Sequence, residues 1–434
     1  MAVSACDYRG ECAHLAANTV ALVLAGGNGT RLGHLTHWHA KPAVPFGGIY
    51  RNIDFSLSNC VNSGIRRIAA LTQYKSQSLI DHLNGGWNFL PRQLGEFIDI
   101  WPAQQRLHKG WYHGTADAVY QNLEMLCSLK PKYVLILAGD HVYNMDYVPM
   151  IEQHAASQAA VTIACIEVPY ASASEFGVMQ LRARSQRITK FVEKPKQPEL
   201  MFPGQATVWA SMGIYVFDFD ALTQALLRDA GDESSTHDFG KDVLPSLVWN
   251  GQADAYKFQD RDDPSRPGYW RDVGTVDAYW QSHMELLSTN PPLNLADDRW
   301  PVITRPLLVP PTRMLSGSTT PAVVHNSIIS PGCIIHDAVI RNSILSPGVK
   351  VMSGAVVEDC VLLPNVTIGR NSHVQRAVID SDVVVADGQS VNHVMQPMQN
   401  DSLHFTVTAN GVCLLCNTPK ALPTLLERAE EVAA

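Results

Sequence analysis

No apolar run in this sequence approaches the roughly 20 residues that a membrane-spanning helix needs, so no membrane partner is expected. A basic excess is missing too. Lys plus Arg number 33 against 41 Asp plus Glu, a formal net charge of −8. That balance argues against a nucleic-acid partner, although a local basic site can still hold a phosphorylated metabolite. Residues 1–18 lack a basic region followed by a long apolar stretch, so they are read as a tail and not as a secretion signal. Cysteine is sparse: nine residues, an odd number, with Cys413 and Cys416 the one C-x-x-C pair and no second pair to complete a zinc site. Free thiols in a reducing cytoplasm are the expectation, and a redox pair at 413 and 416 is the alternative.

What is present is an ordinary globular composition, 46% apolar and 17% charged over 434 residues, enough for two or three domains that each bury a core. In the first half, apolar runs at 20–25, 65–71, 133–138 and 160–167 alternate with amphipathic stretches, and Ala118, Leu123, Leu126 and Leu129 give 116–129 a helical spacing. Strands alternating with helices predict an α/β domain with a mostly parallel sheet. Ligands in such sheets sit at the carboxyl ends of the strands. Here those ends carry glycines and Asp140.

Near residue 291 the composition changes. The segment 291–321 holds seven prolines and reads as a linker. After it come apolar pairs at 328–329, 334–335, 339–340, 344–345, 356–357, 361–362 and 378–379, with Ser-Pro-Gly at 330–332 and again at 346–348. Units this short cannot bury an apolar face alone and must stack. Their period predicts a left-handed parallel β-helix, where an antiparallel sandwich would space its strands by about 8–12 residues. The expected organisation is therefore a tail over 1–18, a catalytic domain over 19–290, a linker over 291–321, a β-helix over 322–420 and a helical tail over 421–434.

The first strand runs directly into Leu24-Ala25-Gly26-Gly27-Asn28-Gly29-Thr30-Arg31-Leu32. Glycines there let backbone amides approach phosphates, and Arg31 adds a cationic fork. The loop is neither a Walker A loop nor the dinucleotide G-x-G-x-x-G, and by itself a plain tight turn explains it equally well. Ala40-Lys41-Pro42-Ala43 follows with a second cation. Together these segments resemble the signature of the sugar-nucleotide pyrophosphorylase family. Pro102-Ala103-Gln104-Gln105-Arg106, Gly114-Thr115-Ala116-Asp117-Ala118-Val119, Ala138-Gly139-Asp140-His141, Phe191-Val192-Glu193-Lys194-Pro195 and Trp270-Arg271-Asp272-Val273-Gly274 narrow the resemblance to its ADP-glucose branch. It covers residues 19–390.

The resemblance implies a Rossmann-like domain that couples ATP to glucose 1-phosphate, releasing diphosphate, in bacterial glycogen synthesis. It implies Mg²⁺ on Asp140 and Asp272, and catalytic roles for Arg31, Lys41, Asp140 and Lys194. Leu24, Gly26, Gly27, Gly29, Thr30, Gln73 and Gly114 are then nucleotide-binding positions. Tyr112, Gly177, Glu193, Lys194 and Ser211 are sugar-phosphate positions. A homotetramer regulated by small-molecule effectors, phosphorylated metabolites among them, is also implied.

Departures from the family pattern occur at Asn28 and His113, where Arg is common, and in the effector region. Trp38 and His39 stand where Lys and Arg are usual, Arg51 remains, and Leu403-His404 replaces a double Arg. Trp38, His39 and Arg51 are candidate effector residues, and fewer cations predict weak activation by fructose 1,6-bisphosphate. The His-Asp-Phe-Gly-Lys-Asp stretch at 237–242 belongs to the resemblance without a role, and a helix start explains it as well. The competing functions are a thymidylyl- or uridylyltransferase on the same sugar phosphate, and a non-catalytic regulatory subunit. The second would lack Arg31, Asp140, Lys194 or Asp272, and all four are present.

Overall fold

The computed structural model describes residues 14–27, 29–37, 39–104, 111–198, 204–317, 321–392 and 403–418. The expected helical tail, most of the N-terminal tail, Asn28 and Trp38 lie outside the described residues.

Thirteen strands belong to the first domain: β1 (Thr19–Leu24), β2 (Pro45–Phe46), β3 (Tyr50–Arg51), β4 (Arg67–Thr72), β5 (Phe97–Pro102), β6 (Tyr133–Ala138), β7 (His141–Tyr143), β8 (Val161–Pro169), β9 (Gly177–Leu181), β10 (Ile188–Glu193), β11 (Thr207–Asp218), β12 (Ala253–Lys257) and β13 (Trp270–Asp272). The order β6-β1-β4-β5 is parallel throughout. The long strand β11 closes this half, running antiparallel to β6, β8 and β9. β1 and β6 read as unbroken apolar runs because apolar clusters cover both faces of the sheet.

The single helix expected over 116–129 is two helices, Thr115–Tyr120 and Leu123–Leu129. Asn122 breaks it. Its side-chain amide donates to the Ala118 carbonyl at 2.8 Å, the acceptor that a helical backbone N–H would use.

The repeats form three sheets of parallel strands two or three residues long, in register from coil to coil, as in Ile335↔Val351 and Ile340↔Val357. Every apolar pair of the repeat lies on such a strand. Asn326, Asn342 and Asp359 turn the same corner of successive coils with positive φ. Their side chains form a ladder, Asn326 donating to Asn342 at 2.9 Å and Asn342 to Asp359 at 3.3 Å. The hairpin Leu403–Val407/Cys413–Asn417 ends the β-helix. Cys413 points into the β-helix core and Cys416 into the core shared with the first domain. Positions three apart on a strand face opposite ways, so the C-x-x-C spacing makes no dithiol pair.

The Pro-rich segment is not a free tether. The first β-helix strand, Arg313–Leu315, already lies inside it. Upstream, Thr304 donates to Asp54 at 2.6 Å, the Ile303 N–H to Ser58 at 2.8 Å, and Trp300 Nε1 to Asn59 at 2.9 Å. These bonds fasten the segment along the helix Asn52–Asn62. A shared apolar core, including Leu32, Phe46, Tyr279, Ile344, Val361 and Leu414, then joins β-helix to sheet.

Candidate active site

The site is assembled at the carboxyl ends of β1 and β6. Asp140 follows β6, and the chain enters β7 at His141. β13 pairs antiparallel with β7, which sets Asp272 directly opposite His141. A two-strand pairing therefore brings together carboxylates far apart in sequence. Lys41, buried in a short turn that starts Lys41-Pro42, places its Nζ 2.7 Å from Asp140 Oδ2 and 2.7 Å from Asp272 Oδ1. Arg31, largely exposed, reaches Asp272 with Nη2 at 3.5 Å.

Burial pushes both carboxyls up, but the Lys41 ammonium and His141 outweigh it and hold both below the usual carboxylate range. Burial pulls Lys41 down, and the two carboxylates more than reverse that, leaving it above its ordinary value. Among the described residues, Asp140, His141 and Asp272 are the one group of three whose ligand atoms lie within 4.8 Å of one another. Hard carboxylate oxygens suit a divalent cation of the Mg²⁺ kind. His141 Nδ1 lies 3.1 Å from the Met212 carbonyl, which can only accept. Nδ1 therefore donates there, and Nε2 faces Asp140 at 3.7 Å.

Beside Asp140 opens a cavity of about 420 Å³, lined by Leu24, Gly26, Gly27, Gln73, Tyr112, Gly114 and Asp238 among others. Gly29 adopts the left-handed region at φ 60, where a side chain is strained, and its carbonyl accepts from Thr36 at 2.9 Å. Thr30 opens the 3-10 helix Thr30–Thr36. Gln73 bridges the two cavity walls. Its Nε2 donates to the Gly26 carbonyl at 3.1 Å, and its Oε1 accepts from the Tyr112 N–H at 3.0 Å. Tyr112 also lines this cavity, and its hydroxyl accepts from Asn122 at 3.0 Å. Gly114 is pressed so close to residue 237 that a Cβ would sit 2.2 Å from the His237 carbonyl oxygen.

Glu193 ends β10 opposite Gly177 of β9, and its Oε1 lies 3.3 Å from Lys194 Nζ. Lys194 itself has φ 46, a left-handed conformation that costs a lysine energy and that tends to persist at functional sites. Burial pushes the Glu193 carboxyl up against the pull of Lys194. Ser211 sits where β11 slips register against β8, beside Gly213 and Tyr215.

Two of the candidate effector residues, Arg51 and His39, lie elsewhere. Arg51 donates to the Ala43 carbonyl at 2.8 Å and lines a cavity of about 480 Å³ between the domains, while His39 Nδ1 is 2.9 Å from Ser78 Oγ.

Three residues of the site were not anticipated: His141, Thr115 and Asp238. Thr115 Oγ1 donates to Asp238 Oδ2 at 3.0 Å, and the Phe239 N–H donates back to Thr115 Oγ1 at 2.9 Å. The stretch 237–242 thus clamps the turn beside the cavity. The unassigned motif was the available signal, but its partner could not be read from the sequence.

Fold and site both point to the nucleotidyl transferase class, and residues 20–289 match the nucleotidyl transferase family. Residues 310–415 match the GlmU-like C-terminal hexapeptide family. The chain is 48% identical to the glucose-1-phosphate adenylyltransferase of Nitrosospira multiformis, over 93% of this chain and 95% of the relative. It is 48% identical to that of Thiobacillus denitrificans over 94% and 92%, and 47% identical to that of Methylococcus capsulatus over 94% and 95%. The chain belongs to the glucose-1-phosphate adenylyltransferase family.

Proposed function

We propose that the protein transfers the adenylyl group of ATP to glucose 1-phosphate, forming ADP-glucose and diphosphate. The observation that carries this reading is the Lys41–Asp140–Asp272 cluster, whose Asp140 lines the cavity beside the glycine loop. A sugar-phosphate oxygen attacks the α-phosphorus in line, the new P–O bond forms, and the bond from that phosphorus to the oxygen linking it to the β-phosphate breaks, so that diphosphate leaves with that oxygen. That nucleophile is already an anion, so the protein's work is positioning and charge neutralisation. Arg31 and Lys41 neutralise the departing diphosphate. Lys194 holds the sugar phosphate, and Glu193 accepts from sugar hydroxyls. Asp140 and Asp272 would hold Mg²⁺, which supplies positive charge to the phosphates being joined.

Further parts of the reading rest on the family alone: glycogen synthesis, a cytoplasmic location and a homotetramer. Small-molecule effectors are supported by the cavity between the domains, to which Arg51 and Arg305 contribute from one side and Pro347 and Asn365 from the other. Weak activation by fructose 1,6-bisphosphate is supported by His404, which stacks on His34 at 3.6 Å instead of offering a guanidinium. Strong activation at micromolar concentration would overturn that part.

The test of the activity is diphosphate release with glucose 1-phosphate, Mg²⁺ and ATP, UTP or dTTP in turn. Preference for ATP supports the reading, and equal use of UTP or dTTP moves the protein to a neighbouring specificity.

A further inference from the structure

Gly240 lies in the Phe239–Val243 turn, in the motif for which the sequence offered no role. A Cβ built there would meet Glu193 Oε2 at 2.6 Å and Glu193 Cδ at 2.9 Å. Gly177 lies against the same carboxylate, since a Cβ there would meet Glu193 Oε2 at 2.5 Å and the Phe191 ring at 2.7 Å. Both glycines are buried, and neither has a positive φ. Their lack of a side chain therefore answers a space requirement and not a backbone one. The turn is fixed in turn by Asp238, whose Oδ1 accepts from the Gly240 N–H at 2.9 Å and the Lys241 N–H at 3.1 Å. The other oxygen of Asp238 is the one bonded to Thr115 beside the nucleotide cavity.

We infer that Gly240 is a positioning residue for sugar-phosphate recognition. With Gly177 it forms a slot that holds the Glu193 carboxylate in one place, at a fixed distance from the nucleotide half of the site. The inference rests on the proposed function for the identity of the sugar phosphate. The atom that a methyl group at 240 would strike is the tip of a flexible side chain. Alanine there moves the carboxylate and leaves the fold intact.

The experiment combines steady-state kinetics with calorimetric binding of glucose 1-phosphate to wild type, Gly240→Ala, Glu193→Asp and the double variant. Gly240→Ala is expected to keep the wild-type melting temperature and KM for ATP. Its KM and Kd for glucose 1-phosphate should rise about 10-fold, the size of one misplaced hydrogen bond to a charged group. Aspartate at 193 is one methylene shorter and leaves room for the methyl. On that background Gly240→Ala should add about 2-fold or less, a non-additivity that a merely structural glycine would not produce. A well-folded Gly240→Ala with unchanged affinity, an equal penalty on both backgrounds, or a variant that melts far below wild type each overturns the inference. Wild type that binds no glucose 1-phosphate overturns the proposed function as well, so the two failures are told apart.

Discussion

The sheet domain and the β-helix are both built largely of parallel strands, yet they bury different groups. Among the described residues, the interior of the sheet domain contains Lys41, Asp54, His82, Asp117, Asp254 and His283. In the β-helix the buried polar residues are Ser330, Ser343, Ser346 and Ser372, none of them ionisable, and the carboxylate of Asp380 is only half-buried. Its coils are filled by Ile335, Ile340, Leu345, Val357, Leu362 and Ile368, each fully buried. Charge burial costs energy and is retained where charges are paired or put to use. The contrast assigns chemistry to one domain and scaffolding to the other. The fastened segment 291–312 and the shared core make the two parts mechanically continuous.

The largest effect that separates the domains is expected from Asp140→Asn. Diphosphate release should fall by about 100-fold or more, as when a charge-stabilising group is lost, while the melting temperature stays near wild type. Leu345→Ala should do the reverse. A cavity in the closed β-helix core costs about 3 kcal/mol of stability, read in chemical denaturation, with kcat unchanged where the protein remains folded. If Leu345→Ala also lowered kcat at full foldedness, the scaffold assignment would fail.

Between these extremes lies Asp54, fully buried, which accepts from His82 at 2.6 Å, Trp87 at 3.1 Å, the Arg51 N–H at 2.8 Å and Thr304 at 2.6 Å. Asn at 54 turns one acceptor into a donor facing donors. It should cost about 2 kcal/mol and speed proteolysis of residues 291–312. Unchanged proteolysis would detach that segment from the network.

The smallest expected effect sharpens the comparison where the domains meet. Burial pushes the Asp380 carboxyl up to about 6, against an N–H bond from Ser381. Unfolded, it ionises near the ordinary value of about 4. Below that pH both states are protonated and nothing is lost. Through the window up to about 6 the folded state resists ionisation, and above it the full cost is present. Asp380→Asn should therefore raise the melting temperature by a few degrees at about pH 8 and leave it unchanged at about pH 4. A rise at both pH values would point to packing and not to charge.

Much of this molecule was legible along the chain. The glycine loop falls at the end of β1 because an apolar strand must end before it, and Asp140 falls at the end of β6 for the same reason. The repeat was legible because each coil repeats one pattern and pairs with its own kind, so local sequence and tertiary contact coincide. Other features were out of reach. The break at Asn122, the bond between Gln73 and Tyr112 and the opposed faces of Cys413 and Cys416 depend on where side chains point. The hold of Asp54 on the proline-rich segment joins parts of the chain far apart in sequence.

By itself the sequence determined the two kinds of domain and which residues carry charge at strand ends. Hydrophobic period and glycine placement are local properties, and they survive without knowledge of neighbours. Only the tertiary structure decided what those charges meet. The β7–β13 pairing puts Asp272 beside His141, Lys41 settles between two carboxylates, and a turn from residues 238–241 closes on Glu193. Each of these is a contact between segments whose separation along the chain carries no periodic signal, and packing alone fixes them.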